Sequence, residues 1–484
     1  MKKLYIYHVN DLHSHFENWP KIVHYLNERK RHHDENGEDY LLLDIGDHVD
    51  RFHPITEATE GKANVELLNQ LQFDAVTIGN NEGITLSYET LNSLYKEADF
   101  TVVLSNLFDE LKQRPEWMKP YHIIELKTGY KIGLIGVTVF YEKFYKQLGW
   151  QIKDPFQAVQ ESLFAIKDQV DLVVLMSHLG ISDDEIMANE FPDIDLILGA
   201  HTHHLLCDGK FINGVLLGGA EKYGHYVGCI EITYEKENFH LLKKKARVEE
   251  MINLSQTCKT TEAWLQKKEK ESRCILSKEI VHLHEAIPLE WFESSDFTSI
   301  LVSSIKEWCQ GEVAMVNAGM LLAPLPAGPV TKGDLHRICP HPINPCKVFL
   351  KGDELKEVIL QASTEKMEHL RLKGLGFRGK VMGQMVYDGI DVVKEKLDDG
   401  EMHVTSILVN GQPLDPDKLY GVATVDMFTL GPLYPVISHA DKKTYFMPEF
   451  LRDLLEWKLK SIQQFKIDLD SKSTLSSAGK PKTI

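Results

Sequence analysis

The chain is short of positive charge. Its 484 residues carry 54 Lys and Arg against 71 Asp and Glu, a formal net charge of −17. Sequence-independent binding to DNA or to an anionic membrane needs a basic face. No nucleic-acid and no membrane partner is therefore expected. Long apolar runs are also missing: none approaches the roughly eighteen residues of a spanning helix. After Met1-Lys2-Lys3 comes the six-residue stretch LYIYHV, where a secretory h-region needs roughly seven to fifteen apolar residues. Cysteine is sparse and odd in number, at seven, with no C-x-x-C pair, which excludes a regular disulfide framework. These absences lead to the expectation of a cytoplasmic chain with free thiols. No internal repeat is visible.

What is present is globular material: 43% apolar and 26% charged residues. At about 150 residues per domain the length suggests two or three domains. Residues 4–9, 40–46, 74–79, 171–180 and 195–204 read as strands rich in Val, Ile and Leu. Residues 19–30, 64–71 and 87–98 read as helices, and 123–137 as a hairpin turning at Thr128-Gly129. Such alternation argues an α/β layered domain, placed at 1–240. A polar, lysine-rich stretch at 250–275 reads as a connecting helix. Residues 276–462 hold most of the prolines and read as an α+β domain. The tail, 463–484, is polar and expected to fray.

Histidine is abundant, at 22, and several lie just past strands. Asp11 and His13 follow the first strand, Asp47 the second and Asn80 the third. His178 follows M-S, and His201 and His203 follow L-I-L-G-A. Ligands bind at the carboxyl ends of strands in open α/β sheets, so these residues are expected along one sheet edge. The pairs Asp11/His13 and His201/His203 are spaced i, i+2, which on extended chain turns both side chains the same way. Each motif alone is weak, because Asp after a strand is commonly a helix cap and G-D and G-N are ordinary turns. Together they read as a metal site. Mixed imidazole and carboxylate suits Mn, Fe, Zn or Co better than Ca or Mg.

The order D-x-H, G-D, G-N, S-H, G-A-H-T-H resembles that of the calcineurin-like metallophosphoesterases. NAGMLLAPLPAGPVTKGDLHRICPHPINP resembles the segment opening the nucleotide-binding domain of 5'-nucleotidases, and ATVDMFTLGPLYP its late substrate loop. The likeness extends to bacterial members of the family without a signal peptide. The resemblance implies a four-layer α/β sandwich metallophosphoesterase domain followed by an α+β substrate-binding domain. It implies two divalent cations and a small phosphorylated substrate, a nucleotide above all. Carried over by position, Asp11 and His13 hold one ion and Asp47 bridges. Asn80, His178 and His201 hold the second, and His203 returns to the first. A hydroxide held on the cations then attacks phosphorus in line.

The resemblance breaks at two places. The family reads G-N-H-E/D, then a Phe or similar, then an Asp that orients the His. Here Asn81 stands for the His, Gly83 follows Glu82, and Ile84 stands for the Asp. Asn81 is the expected catalytic side chain, as a hydrogen-bond donor that cannot deliver a proton at pH 7. Loss of general-acid help costs about 10²–10⁴-fold, which favours good leaving groups. Otherwise a neighbour supplies the proton, with His15, His48, His53, His204 and Glu82 nearest in sequence; each also reads as a solvated or supporting residue. In the second domain Asn317 and Asn344 survive from the family segments. Phe377 and Phe428 are candidates for stacking a base, and Arg378 for meeting a phosphate. The leading expectation is a metallophosphoesterase. The alternative is a metal-containing binding or regulatory protein with reduced catalysis, and a nuclease is disfavoured by the charge.

Overall fold

A computed structural model describes residues 1–396 and 402–463. The chain divides into two compact units, Met1–Arg273 and Cys274–Ile484. The polar tail, from 464 on, lies outside the described residues.

The first unit contains two large sheets. In one, the strand Lys2–Val9 pairs in parallel with Asp39–Asp44, which pairs in parallel with Ala75–Val76. In the other, Lys131–Thr138 lies parallel to Leu172–His178, and that strand lies parallel to Leu196–Gly199. Strand alternation sorts their side chains. Leu4 and Ile6 of the first sheet join Ile132, Leu134, Leu172, Val174 and Met176 of the second in one buried cluster. Tyr5, Tyr7 and Val9 face the other way, onto Trp19, Ile22, Val23 and Leu26 of the helix Trp19–Asn36. On the far side Ile135, Val137, Val173 and Leu175 pack on Val159 and Leu163 of the helix Pro155–Ile166 and on Met187 of Ile181–Glu190. The order is helix, sheet, sheet, helix: a four-layer α/β sandwich. Each fully buried Leu or Ile contributes about 1.5–3 kcal/mol, so this double sheet is a rigid base for the loops at its strand ends.

Some boundaries differ from the sequence reading. The first helix runs to Asn36, beyond 30, because its polar last turns contain no breaker before Gly37, which caps it at φ 63°. The hairpin forms between Tyr121–Glu125 and Lys131–Thr138, with Gly129 at φ 88°. Several strands lie outside the runs read from sequence, among them Val215–Gly218, Tyr226–Tyr234 and Leu241–Glu250. Tyr226–Tyr234 pairs antiparallel with the first strand, and Leu241–Glu250 adds outside it. The helix Lys259–Leu276 follows, and its Trp264 and Leu265 pack on the first unit's helical face.

The second unit is α+β. A five-stranded sheet runs in the order Met385–Asp388, Val313–Asn317, Leu419–Val425, Pro345–Lys351, Lys443–Tyr445. The helices Asp296–Cys309 and Gly352–Ala362 cover it, and residues 451–463 are helical. Just past the strand Leu419–Val425, Asp426 is buried. Its Oδ2 accepts the Asn344 N–H at 3.1 Å, and its own N–H donates to the Asn344 carbonyl at 2.9 Å. Burial pushes this carboxyl up to about 7, against the pull of the Asn344 and Met427 N–H groups. A folded-state pKa raised above the unfolded value gives stability that is full at low pH and is lost as pH rises. Wild-type thermal stability is therefore expected to lose this contribution between about pH 4 and pH 7. Asp426→Asn keeps an acceptor without the charge, so it is expected to stabilise the protein more at pH 7.5 than at pH 5. Equal shifts in Tm at the two pH values would show that Asp426 does not titrate in this way.

Candidate metal centre

The seven candidate ligands come from both sheets. Asp11, His13, Asp47 and Asn80 follow three adjacent parallel strands of the first sheet. His178 ends one strand of the second, and His201 and His203 follow its neighbour. The single sheet edge expected from sequence is thus a seam where the ends of two stacked sheets meet. The extended i, i+2 geometry is not what forms. Asp11, His13, Asp47, His201 and His203 all have left-handed backbones, with φ of 50°, 49°, 52°, 69° and 58°. Asp and His tolerate that region better than branched residues do. Strained backbone of this kind collects at functional sites, where the surrounding fold imposes it. Here the imposed bonds are visible: Asp11 N–H donates to Gly46 O at 3.0 Å, and His13 N–H to Asp47 O at 2.8 Å.

Two groups of ligand atoms converge. Asp11, His13 and His203 form one, and Asp11, Asp47 and His178 the other, each within 4.8 Å. His203 Nε2 lies 3.4 Å from Asp11 Oδ1 and 3.2 Å from His13 Nε2. His178 Nε2 lies 3.4 Å from Asp47 Oδ2 and 3.9 Å from Asp11 Oδ1. Nearby, His201 Nδ1 faces Asn80 Oδ1 at 2.8 Å. The His201/His203 pair therefore splits, one ring to each side. Among the described residues only histidines reach ion-pair range of Asp11 and Asp47.

The electrostatics follow from burying two carboxylates together. Burial raises the pKa of Asp47, but His178, His13 and the Asn81 N–H at 2.7 Å overcome it and hold the carboxyl well below its usual range. For His178 burial opposes the charged form, yet Asp47, Asp11 and the Ile45 carbonyl raise it to about 10. The field that would hold a proton there also favours a cation.

Supporting residues complete the site. His178 Nδ1 donates to Ile45 O at 2.7 Å, which leaves Nε2 facing the carboxylates with no hydrogen-bond partner. His13 Nδ1 faces Asp50 Oδ2 at 3.5 Å and the Asn81 side-chain amide at 2.9 Å. A carboxylate behind a ligating imidazole fixes the ring's orientation. Glu82 is buried, and its carboxylate accepts N–H bonds from Asp47 (3.0 Å), Val49 (2.8 Å) and Gly79 (2.8 Å). It ties the second strand's loop to the third's. From sequence Glu82 reads as a proton source, whereas here it is a backbone clamp; Asp50, three residues past Asp47 in G-D-H-V-D, carries no signal of its own. Tyr141, whose hydroxyl is 3.3 Å from His201 Nε2, carried no sequence signal.

The other proton-donor candidates are occupied elsewhere. His48 is buried, edge-on to Trp19 and bonded to Asn64 at 3.1 Å. His53 caps the helix Pro54–Thr59. His15 bonds Glu17 at 2.9 Å and lies tilted against the Tyr223 ring at 3.8 Å, and His204 bonds Thr202 at 2.9 Å.

Residues 4–205 match the model for calcineurin-like phosphoesterases, and residues 283–432 the model for the 5'-nucleotidase C-terminal domain. The uncharacterised metallophosphoesterase YunD of Bacillus subtilis is 54% identical over 458 residues, which span 95% of this chain and 99% of that protein. The chain belongs to the 5'-nucleotidase family of metallophosphoesterases. Solved structures agree on the fold. The NAD nucleotidase of Haemophilus influenzae superposes with a TM-score of 0.68 at 18% identity, covering 96% of this chain and 97% of that one. A 5'-nucleotidase-like structure from Staphylococcus aureus gives 0.67 at 16%, covering 94% and 96%.

In this 5'-nucleotidase family member the second-unit candidates are mostly internal. Phe428 is 0% exposed and packs edge-on to Tyr434 at 4.7 Å. Phe377 is 3% exposed, with a face stacked on His341 at 5.3 Å. Asn344 is buried and donates to Glu449 O at 2.8 Å. Asn317 donates to Gly383 O at 3.1 Å, while its Oδ1 is buried without a partner. The Arg378 N–H donates to His341 Nδ1 at 2.9 Å, and its side chain is partly buried.

Proposed function

We propose that the chain is a dinuclear, cation-dependent hydrolase of a small phosphate ester or anhydride, with nucleotides, nucleotide sugars and cyclic nucleotides as its substrate classes. The observation that carries this reading is the orphaned, buried His178 Nε2 aimed at two buried carboxylates. Buried polar atoms rarely lack a partner, and a divalent cation is the partner that fits this donor set. Asp11, His13 and His203 would hold one ion; Asn80, His178 and His201 would hold the second, with Asp47 shared. Mn, Zn, Fe or Co suits these donors. When bound, two such ions supply the Lewis acidity and positive charge that phosphoryl transfer needs in an acidic protein.

The chain's own residues do the rest. Glu82 positions the Asp47 loop and Asp50 orients His13. Asn81 is held beside both half-sites and offers an amide N–H to a phosphoryl oxygen. The family's His/Asp dyad is replaced by Asn81 and Ile84, so anhydrides and activated esters are favoured over sugar alkoxides. In the second unit Arg378 is assigned to a substrate phosphate, with Asn317 and Asn344 shaping the loops around it. Stacking of a base by Phe377 and Phe428 requires those rings to become uncovered. The seven free thiols support a reducing, cytoplasmic location. Among the described residues no helix is long and apolar enough to cross a membrane.

A screen of metal-replete protein tests the reading. Nucleoside di- and triphosphates, nucleotide sugars and activated diesters are expected to turn over faster than nucleoside monophosphates. Hydrolysis of none of them would end the enzymatic reading. One observation favours a second reading, a binding or regulatory protein with reduced catalysis: the Asn81 amide is already engaged by His13 and by Asn80. Asn81→His with Ile84→Asp separates the two. Restoration of about 10²–10⁴-fold activity from a near-zero start favours reduced catalysis, and robust wild-type turnover excludes it.

A further inference from the structure

Beside the site stands a hydroxyl that the proposed chemistry does not yet use. Tyr141 lies three residues beyond Thr138, the register partner of His178 across the second sheet. Its Oη is 3.3 Å from His201 Nε2, the one hydrogen bond its side chain makes among the described residues. On the other side of that ring, Nδ1 faces Asn80 Oδ1 at 2.8 Å. A ring that gives Nδ1 to a cation carries its proton on Nε2. Tyr141 Oη then accepts from His201, and its own hydrogen is left to donate.

The packing explains why a tyrosine reaches this place. The helix Glu142–Gln147, which Tyr141 caps, rests on the helix Asn80–Thr85. A Cβ on Gly83 would meet the Tyr145 hydroxyl at 2.1 Å, so the approach depends on glycine there. The sequence pattern this chain resembles has a Phe or similar at that position. The departures at 81, 83 and 84 are thus coupled in space: the helix that lost its His and Asp also made room for the segment carrying Tyr141.

We propose that Tyr141 is a catalytic residue of this site, donating its hydroxyl hydrogen to a phosphoryl oxygen of the substrate on the Asn80–His178–His201 side. It supplies a neutral donor to the phosphoryl group in the absence of the family's imidazole, and no proton leaves it. The assignment rests on the phosphoesterase reading above.

The test uses the full-length, metal-loaded protein and Tyr141→Phe, which keeps the ring and its packing on Phe144. Bound metal per chain, the affinity for inorganic phosphate by calorimetry, and kcat on an activated phosphodiester are measured. Two retained ions are expected, with phosphate binding about tenfold weaker, as for one hydrogen bond to a charged group. A loss of about 10²-fold in kcat is expected, as for removal of one transition-state donor. Unchanged phosphate affinity would overturn the assignment. Loss of a cation would also overturn it, because Tyr141 would then only position His201. Wild-type protein that binds two ions and phosphate but hydrolyses nothing would sink the phosphoesterase reading, while the difference in phosphate affinity would still decide Tyr141. Wild-type protein that binds neither would overturn both.

Discussion

Asp47→Ala is expected to remove the site's capacity to hold two cations while leaving the fold in place. Asp47 Oδ2 faces His178 Nε2 and His13 Nε2, one from each half of the site, and its Oδ1 accepts the Asn81 N–H. Asp11 also faces both halves, through His13, His203 and His178, but among the described residues only Asp47 adds the bond from the Asn81 backbone. Loss of an outer partner of a metal ligand already costs about 10–100-fold in affinity or activity, so losing a carboxylate that faces both halves is expected to exceed that range. The readouts are bound metal per chain, activity, and the rise in Tm on adding metal. A ligand at 100 times its Kd stabilises by about 2.7 kcal/mol, and the variant is expected to lose most of that gain. Two retained ions with unchanged activity would show that Asp47 is not shared.

Gly79→Ala is expected to disable the same centre without altering any ligand. The backbone at Gly79, φ −98° and ψ −168°, is one that alanine adopts freely. The obstacle is space: a Cβ there would lie 2.0 Å from Asp47 Oδ1 and 2.5 Å from His178 Cε1. Both neighbours are buried and bonded, so neither moves without displacing a ligand. Overpacking of this kind costs about 1–3 kcal/mol, and here the strain falls on two candidate metal ligands. A lowered Tm together with loss of bound metal is the expected result. Full metal content at wild-type Tm would mean that the loops give way more easily than their hydrogen bonds suggest. Gly46 makes the matching contact from the other strand end, since a Cβ on it would sit 2.4 Å from Gly79 N. Two glycines back to back let the second and third strand ends close around Asp47.

The strands bearing the ligands were legible because buried parallel strands are near-continuous Val/Ile/Leu runs. Asp11, Asp47, His178 and His201 stand out in the sequence because they lie at or just beyond such runs. The strands Tyr226–Tyr234 and Leu241–Glu250 do not stand out in this way. The second of these has a mostly exposed, lysine-rich pattern, LLKKKARVEE, and its place is set by pairing with Tyr226–Tyr234. The backbone at the candidate ligands is hidden from sequence for a similar reason. A D-x-H step reads as extended, yet its left-handed φ is imposed by hydrogen bonds to Gly46 and Asp47 more than thirty residues away. Phe377 and Phe428 looked available for stacking because sequence does not reveal that His341 and Tyr434 already pack on them.

The sequence by itself determined which chemistry is possible. Residue types and their order after strands supplied Asp, Asn and His for a candidate metal centre, and they placed an asparagine at position 81. These features are local, carried by identity and by short-range periodicity. Only the tertiary structure decided how the pieces meet. It drew the ligands from two sheets instead of one and divided His201 from His203. It made Glu82 a clamp on three backbone N–H groups and brought Tyr141 to His201. Those outcomes depend on contacts between segments far apart in the chain, where one buried carboxylate, one absent Cβ or one helix leaning on another fixes the geometry.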